Sequence, residues 1–192
     1  MADPAPTRTA RRISRRRFGA LAVATIGLGL ATALILTREL LLAGITAMVA
    51  GLALLAGSPP VFRRRVGRAF LRSRLLDRAW DFCLLIPLAW INRNESLREA
   101  VLAVLAAGAS YLAAYEHAKA TSLGYVSVEA PSYRAARYGL LVLGLLTGWI
   151  EASLWLFVVL TLAASAVRAL NVARQERRAA RGSHPGGVPS PP

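Results

Sequence analysis

The chain has 192 residues, 55% of them hydrophobic, with 24 Lys and Arg against 10 Asp and Glu. The apolar residues come in long blocks with the charges between them. That excludes an ordinary soluble domain of amphipathic elements and fits a bilayer, at whose centre a charge costs about 2.5–3.5 kcal/mol on insertion scales. The basic runs flank apolar blocks without any nucleic-acid motif, so they read as topology and contact with anionic lipid heads, and no nucleic-acid partner is expected.

Taken in order, residues 1–17 are a Pro- and Arg-rich cytoplasmic segment expected to be disordered up to the membrane. A first span is predicted over 18–36 and a second over 40–57, separated by the tight turn Thr37-Arg38-Glu39 and ended by Ser58-Pro59-Pro60. A basic stretch with Arg63, Arg64, Arg65 and Arg68 leads into a third span over 69–91, in which Pro87 is a tolerated kink. The fourth span is predicted over 97–115, with Ala103, Ala107, Ser110 and Ala114 as a small-residue face for close packing. A polar connection covers 116–133. The fifth span covers 134–150, where Gly144 and Gly148 offer a second close-contact face, and the sixth covers 151–170. A basic helix end follows, and 182–192 reads as a disordered tail. The expectation is an all-α polytopic bundle of about six transmembrane helices, organised as 1–17, 18–171 and 172–192.

Charge sets the orientation. Of the 24 Lys and Arg, 21 fall on the side of the two termini, and only Arg38, Arg93 and Arg98 fall on the other. By the positive-inside rule both termini are cytoplasmic, and Trp90, Trp149 and Trp155 then form an outer aromatic belt. Ser14-Arg15-Arg16-Arg17-Phe18 is similar to a twin-arginine export signal, with Ala31-Thr32-Ala33 as a conceivable cleavage site. Such a match arises easily in an arginine-rich leader, and cleavage would leave five spans with the basic loops still inside. The one cysteine, Cys83, excludes an intrachain disulfide; no Cys/His group has zinc spacing, and His184 lies in the Pro/Gly tail and reads as inert.

The third span holds the unusual chemistry. At about 100° per residue, Arg74, Asp77, Arg78 and Asp81 share a stripe about 100° wide. Ionisable residues inside a membrane are functional candidates, facing the bundle interior or a wet cavity. The alternative is that Arg74 and Asp77, and Arg78 and Asp81, neutralise each other at i,i+3 along the helix. Spacing does not choose between them.

Six spans with a polar third helix resemble the CDP-alcohol phosphatidyltransferases, in particular actinobacterial enzymes that make phosphatidylglycerophosphate or phosphatidylinositol phosphate. The C-terminal half carries the resemblance. Ala114-Tyr115-Glu116-His117-Ala118-Lys119-Ala120-Thr121-Ser122-Leu123-Gly124 is similar to the family's S-Y-x-R-A-R-A-E-x-L-G. Arg134 and Arg137 precede the span Tyr138-Gly-Leu-Leu-Val-Leu-Gly-Leu-Leu-Thr-Gly148 much as the family's E-R-x-E-R precedes its fifth span. The basic end from Ala166 through Arg168, Asn171, Arg174 and Gln175 is also family-like. In order, these patterns cover roughly residues 18–181. The resemblance implies a bacterial plasma-membrane protein of phospholipid biosynthesis. It implies a phosphate- or lipid-binding set of Arg134, Arg137, Lys119 and His117. It also implies membrane lipids as partners, with a homodimer or a heterodimer with an active paralogue.

The family's signature, D-x2-D-G-x2-A-R-x8-G-x3-D-x3-D, holds divalent cations on the CDP-lipid pyrophosphate, and its last aspartate is the base for the acceptor hydroxyl. Aligned on Leu76-Asp77-Arg78-x-x-Asp81, the base position falls on Asp77 and the third aspartate on Ser73. The first two aspartates fall on Leu52 and Leu55. A shift by four residues puts Asp77 and Asp81 in the third and fourth places and Ala56 and Pro59 in the first two. No register fills all four, because the only other aspartate is Asp3. Hard cations need several oxygen ligands, so no metal site and no cofactor is expected, with Mg or Mn bound only in an active variant. Three readings follow: a catalytically degenerate relative that binds anionic lipid or an active paralogue, an active divergent phosphatidyltransferase, and an unrelated structural or transport membrane protein.

Overall fold

The computed structural model describes the backbone of residues 8–57, 68–125 and 131–182 and the side chains of 18–57, 75–125 and 132–177. The described residues form six α-helices and no strand: α1 (Arg8–Leu36), α2 (Leu40–Gly57), α3 (Arg68–Asn92), α4 (Leu97–Ser122), α5 (Pro131–Thr147) and α6 (Ile150–Gly182). Four of them are long and apolar enough to cross a membrane, over Phe18–Leu36, Leu40–Gly57, Leu97–Ser122 and Ile150–Arg177. The other two are set apart by chemistry. α3 carries Arg74, Asp77, Arg78 and Asp81, and α5 is short and opens on Arg134 and Arg137.

Three element boundaries differ from the sequence expectation. α1 starts at Arg8, so much of the expected N-terminal coil is helical, in keeping with the good helix propensity of Ala and Arg. α4 runs on to Ser122 through the segment expected to be a polar connection, and α5 begins at Pro131. Glu116, Lys119 and Ala120 favour helix as strongly as the apolar residues before them, and nothing in Glu116–Ser122 breaks one.

The helices pack as a flattened ring in the order α1, α2, α5, α6, α4, α3 and back to α1, with a light contact of α2 on α3. α3 and α5 therefore stand on opposite sides of the ring. Two ends are distinguished by their contacts. At one end the α1–α2 turn meets the α3–α4 turn through Arg38 and Glu95, and Arg98 of α4 meets Glu151 of α6 at 2.9 Å. Trp90 and Trp149 are exposed there, with the Arg93 guanidinium 3.6 Å from the Trp90 ring centroid. At the other end, the basic end, the Tyr125 hydroxyl after α4 donates to Glu176 of α6 at 2.9 Å.

Small residues let the ring close. A methyl group on Gly27 of α1 would lie 3.1 Å from Ala50 Cβ of α2. One on Gly144 of α5 would collide with the Ser153 side chain of α6. Gly148, placed on that contact face by its spacing, does not belong to it. It ends α5 at φ 76°, open to its surroundings, where its role is the left-handed turn. The small face of α4 is confirmed, with Ala103, Ala107 and Ser110 buried.

Pro87 shows how a helix breaker is accommodated. It lacks an N–H, so the carbonyl of Cys83 one turn earlier loses its helical donor. The Thr32 hydroxyl of α1 lies 2.9 Å from that carbonyl and 2.9 Å from the Leu28 carbonyl of its own helix, so its single proton is shared between the two. A neighbouring helix thus supplies a share of the missing bond, as lipid-embedded backbone requires.

Candidate functional site

The described part of the polar stripe of α3 faces inward, on the shared face its periodicity predicts. Asp77 is 5% exposed and Asp81 is fully buried. Both also have partners that lie off α3. Arg134 and Arg137 reach across the ring from α5 and form ion pairs with Asp77 and Asp81 respectively. The i,i+3 contact of Arg78 with Asp81 exists but is long, 3.4 Å. The expected pairing of Arg74 with Asp77 concerns the Arg74 side chain and lies outside the described residues, as does the Ser73 side chain.

Each aspartate is held by more than one donor. Asp77 accepts from Arg134 at Oδ2 and from the Tyr138 hydroxyl at Oδ1, the latter at 2.6 Å. Asp81 Oδ2 accepts from Arg137, from the Ser110 hydroxyl and, at the longer distance, from Arg78. Ser110 is the hub. Its Oγ accepts from Arg78 at 2.6 Å and from Arg137 at 2.8 Å, while its backbone carbonyl accepts from Arg78 at 2.8 Å. The Trp80 and Tyr138 rings, with centroids 4.2 Å apart, pack against Gly51 of α2 beside this cluster. Arg137 is further enclosed by aromatic faces, 5.1 Å from the Phe157 centroid and 5.5 Å from that of Tyr133. The centre of the ring is thus filled by an Arg/Asp/Ser clamp that joins α3, α4 and α5.

The donor set does not fit a divalent cation. Both oxygens of Asp77 and Oδ2 of Asp81 already accept from cationic or hydroxyl donors, and a guanidinium this close repels a second cation. Among the described residues no three His, Cys, Asp or Glu side chains converge on a point.

Of the expected phosphate- or lipid-binding set, Arg134 and Arg137 belong to the clamp, whereas Lys119 and His117 lie elsewhere. They line a cavity of about 320 Å³ between α4 and α6 at the basic end, together with Glu116, Arg168 and Glu176. Arg168 donates to the Ala113 carbonyl of α4 at 3.3 Å and stands 5.6 Å from the Tyr133 ring centroid. Sequence reasoning took Ser110 for a packing residue, named Tyr138 only as the start of a family-like span, missed Thr161 and Ser165, and named Arg168 only within a family-like basic end. A signal for the last three was present: polar residues at i, i+4 and i+7 in an apolar span mark one helix face.

Fold and site define the class: a helical membrane bundle with an ion-paired polar centre. No protein-family model, no curated protein and no solved structure matches the chain.

Proposed function

We propose that this chain is a six-span plasma-membrane protein with both termini in the cytoplasm, a relative of the CDP-alcohol phosphatidyltransferases that has lost phosphatidyl transfer and binds anionic phospholipid at its basic face. The observation that carries the loss is the clamp. The two carboxylates that resemble family metal ligands are each neutralised by an arginine from α5. Charge segregation supports the rest, because each Lys or Arg near an anionic leaflet contributes about 1 kcal/mol of attraction. Arg134 and Arg137 hold buried carboxylates, so the lipid phosphate falls to basic side chains nearer the surface, Lys119 and His117 among them.

The test has two arms. Purified protein with CDP-diacylglycerol, glycerol phosphate or inositol phosphate, and magnesium or manganese should release no CMP. Turnover that disappears in Asp77→Asn would overturn the reading. In detergent, titrated phosphatidylglycerol should bind saturably, and Lys119→Gln with His117→Gln should weaken it severalfold more than Arg174→Gln with Arg177→Gln. Equal effects of the two pairs would mean a diffuse field and no site.

A further inference from the structure

Among the described residues, several buried polar atoms of the bundle have no hydrogen-bond partner: Asp81 Oδ1, Glu116 Oε2, Tyr133 OH, Thr161 Oγ1, Ser165 Oγ and Arg168 Nη2. Each would cost about 1–3 kcal/mol if it stayed unsatisfied in an apolar setting. In folded proteins such groups are rare and are satisfied by bound water where the protein offers nothing.

These atoms form a column. On α6, Phe157, Thr161, Ser165 and Arg168 fall within an arc of about 80° and span about 16 Å of helix. The two ends of that face are fixed by contacts. Phe157 lies against the guanidinium of Arg137, and hence beside the Asp81 clamp. Arg168 lies against Tyr133 and the Ala113 carbonyl. Thr161 and Ser165 are bracketed between, 0% and 5% exposed. One turn of α5, from Tyr133 to Arg137, forms a second wall, and α4 from Ser110 to Glu116 forms the third. Glu116 and Arg168 also line the α4/α6 cavity, so the cavity adjoins the Arg168 end of this face. Beyond Phe157 the interior is closed by Leu84, Leu85, Leu88 and Leu154, all at most 2% exposed.

We propose that this column holds a file of bound water, open at the basic end through the α4/α6 cavity and blind at Asp81. The mixture of groups selects the ligand. An anion would meet the carboxylates of Glu116 and Asp81, and a cation would meet Arg168 and Arg137. Water donates to the carboxylate oxygens and accepts from the guanidinium, and the three hydroxyls can do either. The file gives Asp81 contact with solvent on one side of the membrane only, which lowers the cost of keeping a charge at that depth. The inference does not rest on lipid binding or on the absence of transfer.

The deciding measurement is radiolytic footprinting of the unaltered protein, in which hydroxyl radicals made from bound water oxidise adjacent side chains. Phe157, which is fully buried, should be oxidised within fivefold of the rate of Tyr115, which is 58% exposed beside the α4/α6 cavity. A protected Phe157 overturns the proposal. Direction is read in a Cys83→Ala background, where Ser165→Cys is compared with Leu162→Cys, whose side chain points outward on the same helix. A charged, membrane-impermeant thiosulfonate should label the Ser165→Cys variant at least tenfold faster than the Leu162→Cys variant in inverted vesicles, and not in spheroplasts. Equal rates in inverted vesicles, or labelling from the spheroplast side, also overturn it. The side of labelling rests on the proposed cytoplasmic placement of the basic end, whereas the footprinting does not, and neither readout involves CMP release or lipid titration, so the water file and the functional reading fail separately.

Discussion

Two regions along α3 carry the same kind of interaction in opposite surroundings. Just beyond its C-terminus Arg38 meets Glu95, with both side chains more than half exposed. In the middle of the bundle Arg137 meets Asp81, at 3% and 0%. The outer pair competes with water and salt and contributes about 0–1 kcal/mol. The inner pair is not strongly stabilising as a whole, since removing two charges from water is costly, but neither member can be removed alone without leaving the other buried and uncompensated. The comparison shows that an ion pair is an ornament or a constraint according to burial, not according to its geometry.

Arg137→Gln should break the inner region most. It should lower stability by about 3–5 kcal/mol, because Asp81 loses its principal cation. Cys83, the single thiol and a partly buried one, reports unfolding when a thiol-reactive fluorophore is present during heating in detergent. Adding Asp81→Asn should recover more than half of the loss. No recovery in the double variant would mean that the arginine acts by packing on Phe157 and Tyr133 instead of by charge.

Thr32→Val should have a smaller effect in the same interior. It leaves the Cys83 carbonyl above Pro87 without its donor, at about 1 kcal/mol, in the range for interhelical hydrogen bonds in membranes. Replacing Pro87 with Ala in the same variant should remove most of that effect, because the helix then supplies its own donor. An unchanged thermal midpoint in Thr32→Val would show that the bond contributes nothing.

Arg38→Gly should have the smallest effect and the opposite sign. Arg38 has φ 68°, a left-handed conformation that costs an L-residue about 1–2 kcal/mol relative to glycine. Losing the exposed pair with Glu95 should offset only part of that relief, so the thermal midpoint should stay level or rise by a few degrees. A clear fall would show that the outer pair matters more than its exposure allows.

Much of this organisation was legible in the sequence. The apolar runs at 18–36 and 40–57 and the starts of α4 and α6 were readable because a charge-free block of that length has few alternatives. Ser96 before Leu97 marks a helix start, and its hydroxyl accepts from the Glu99 N–H. That Asp77 and Asp81 share one face followed from helical period, but which way the face turns did not. The end of α4 was misplaced because polarity was read as loop, whereas Glu116 to Ser122 carry an ordinary helix out of the apolar layer. Gly148 was assigned to a packing face because spacing does not reveal φ.

The sequence by itself determined that the chain is helical, that it segregates charge from apolar surface, and that Arg74, Asp77, Arg78 and Asp81 share one stripe of α3. These depend on period and block length, which are local. Only the tertiary structure decided what the stripe is for. The partners of Asp77 and Asp81 are on α5, with Ser110 of α4 between them. No local rule selects Arg134 and Arg137 over the other arginines of the basic face, and the i,i+3 neighbours were equally eligible on spacing. The choice falls to the ring order, which sets α3 opposite α5 so that long arginine side chains meet buried carboxylates in a low-dielectric interior, where leaving either unpaired would be costly.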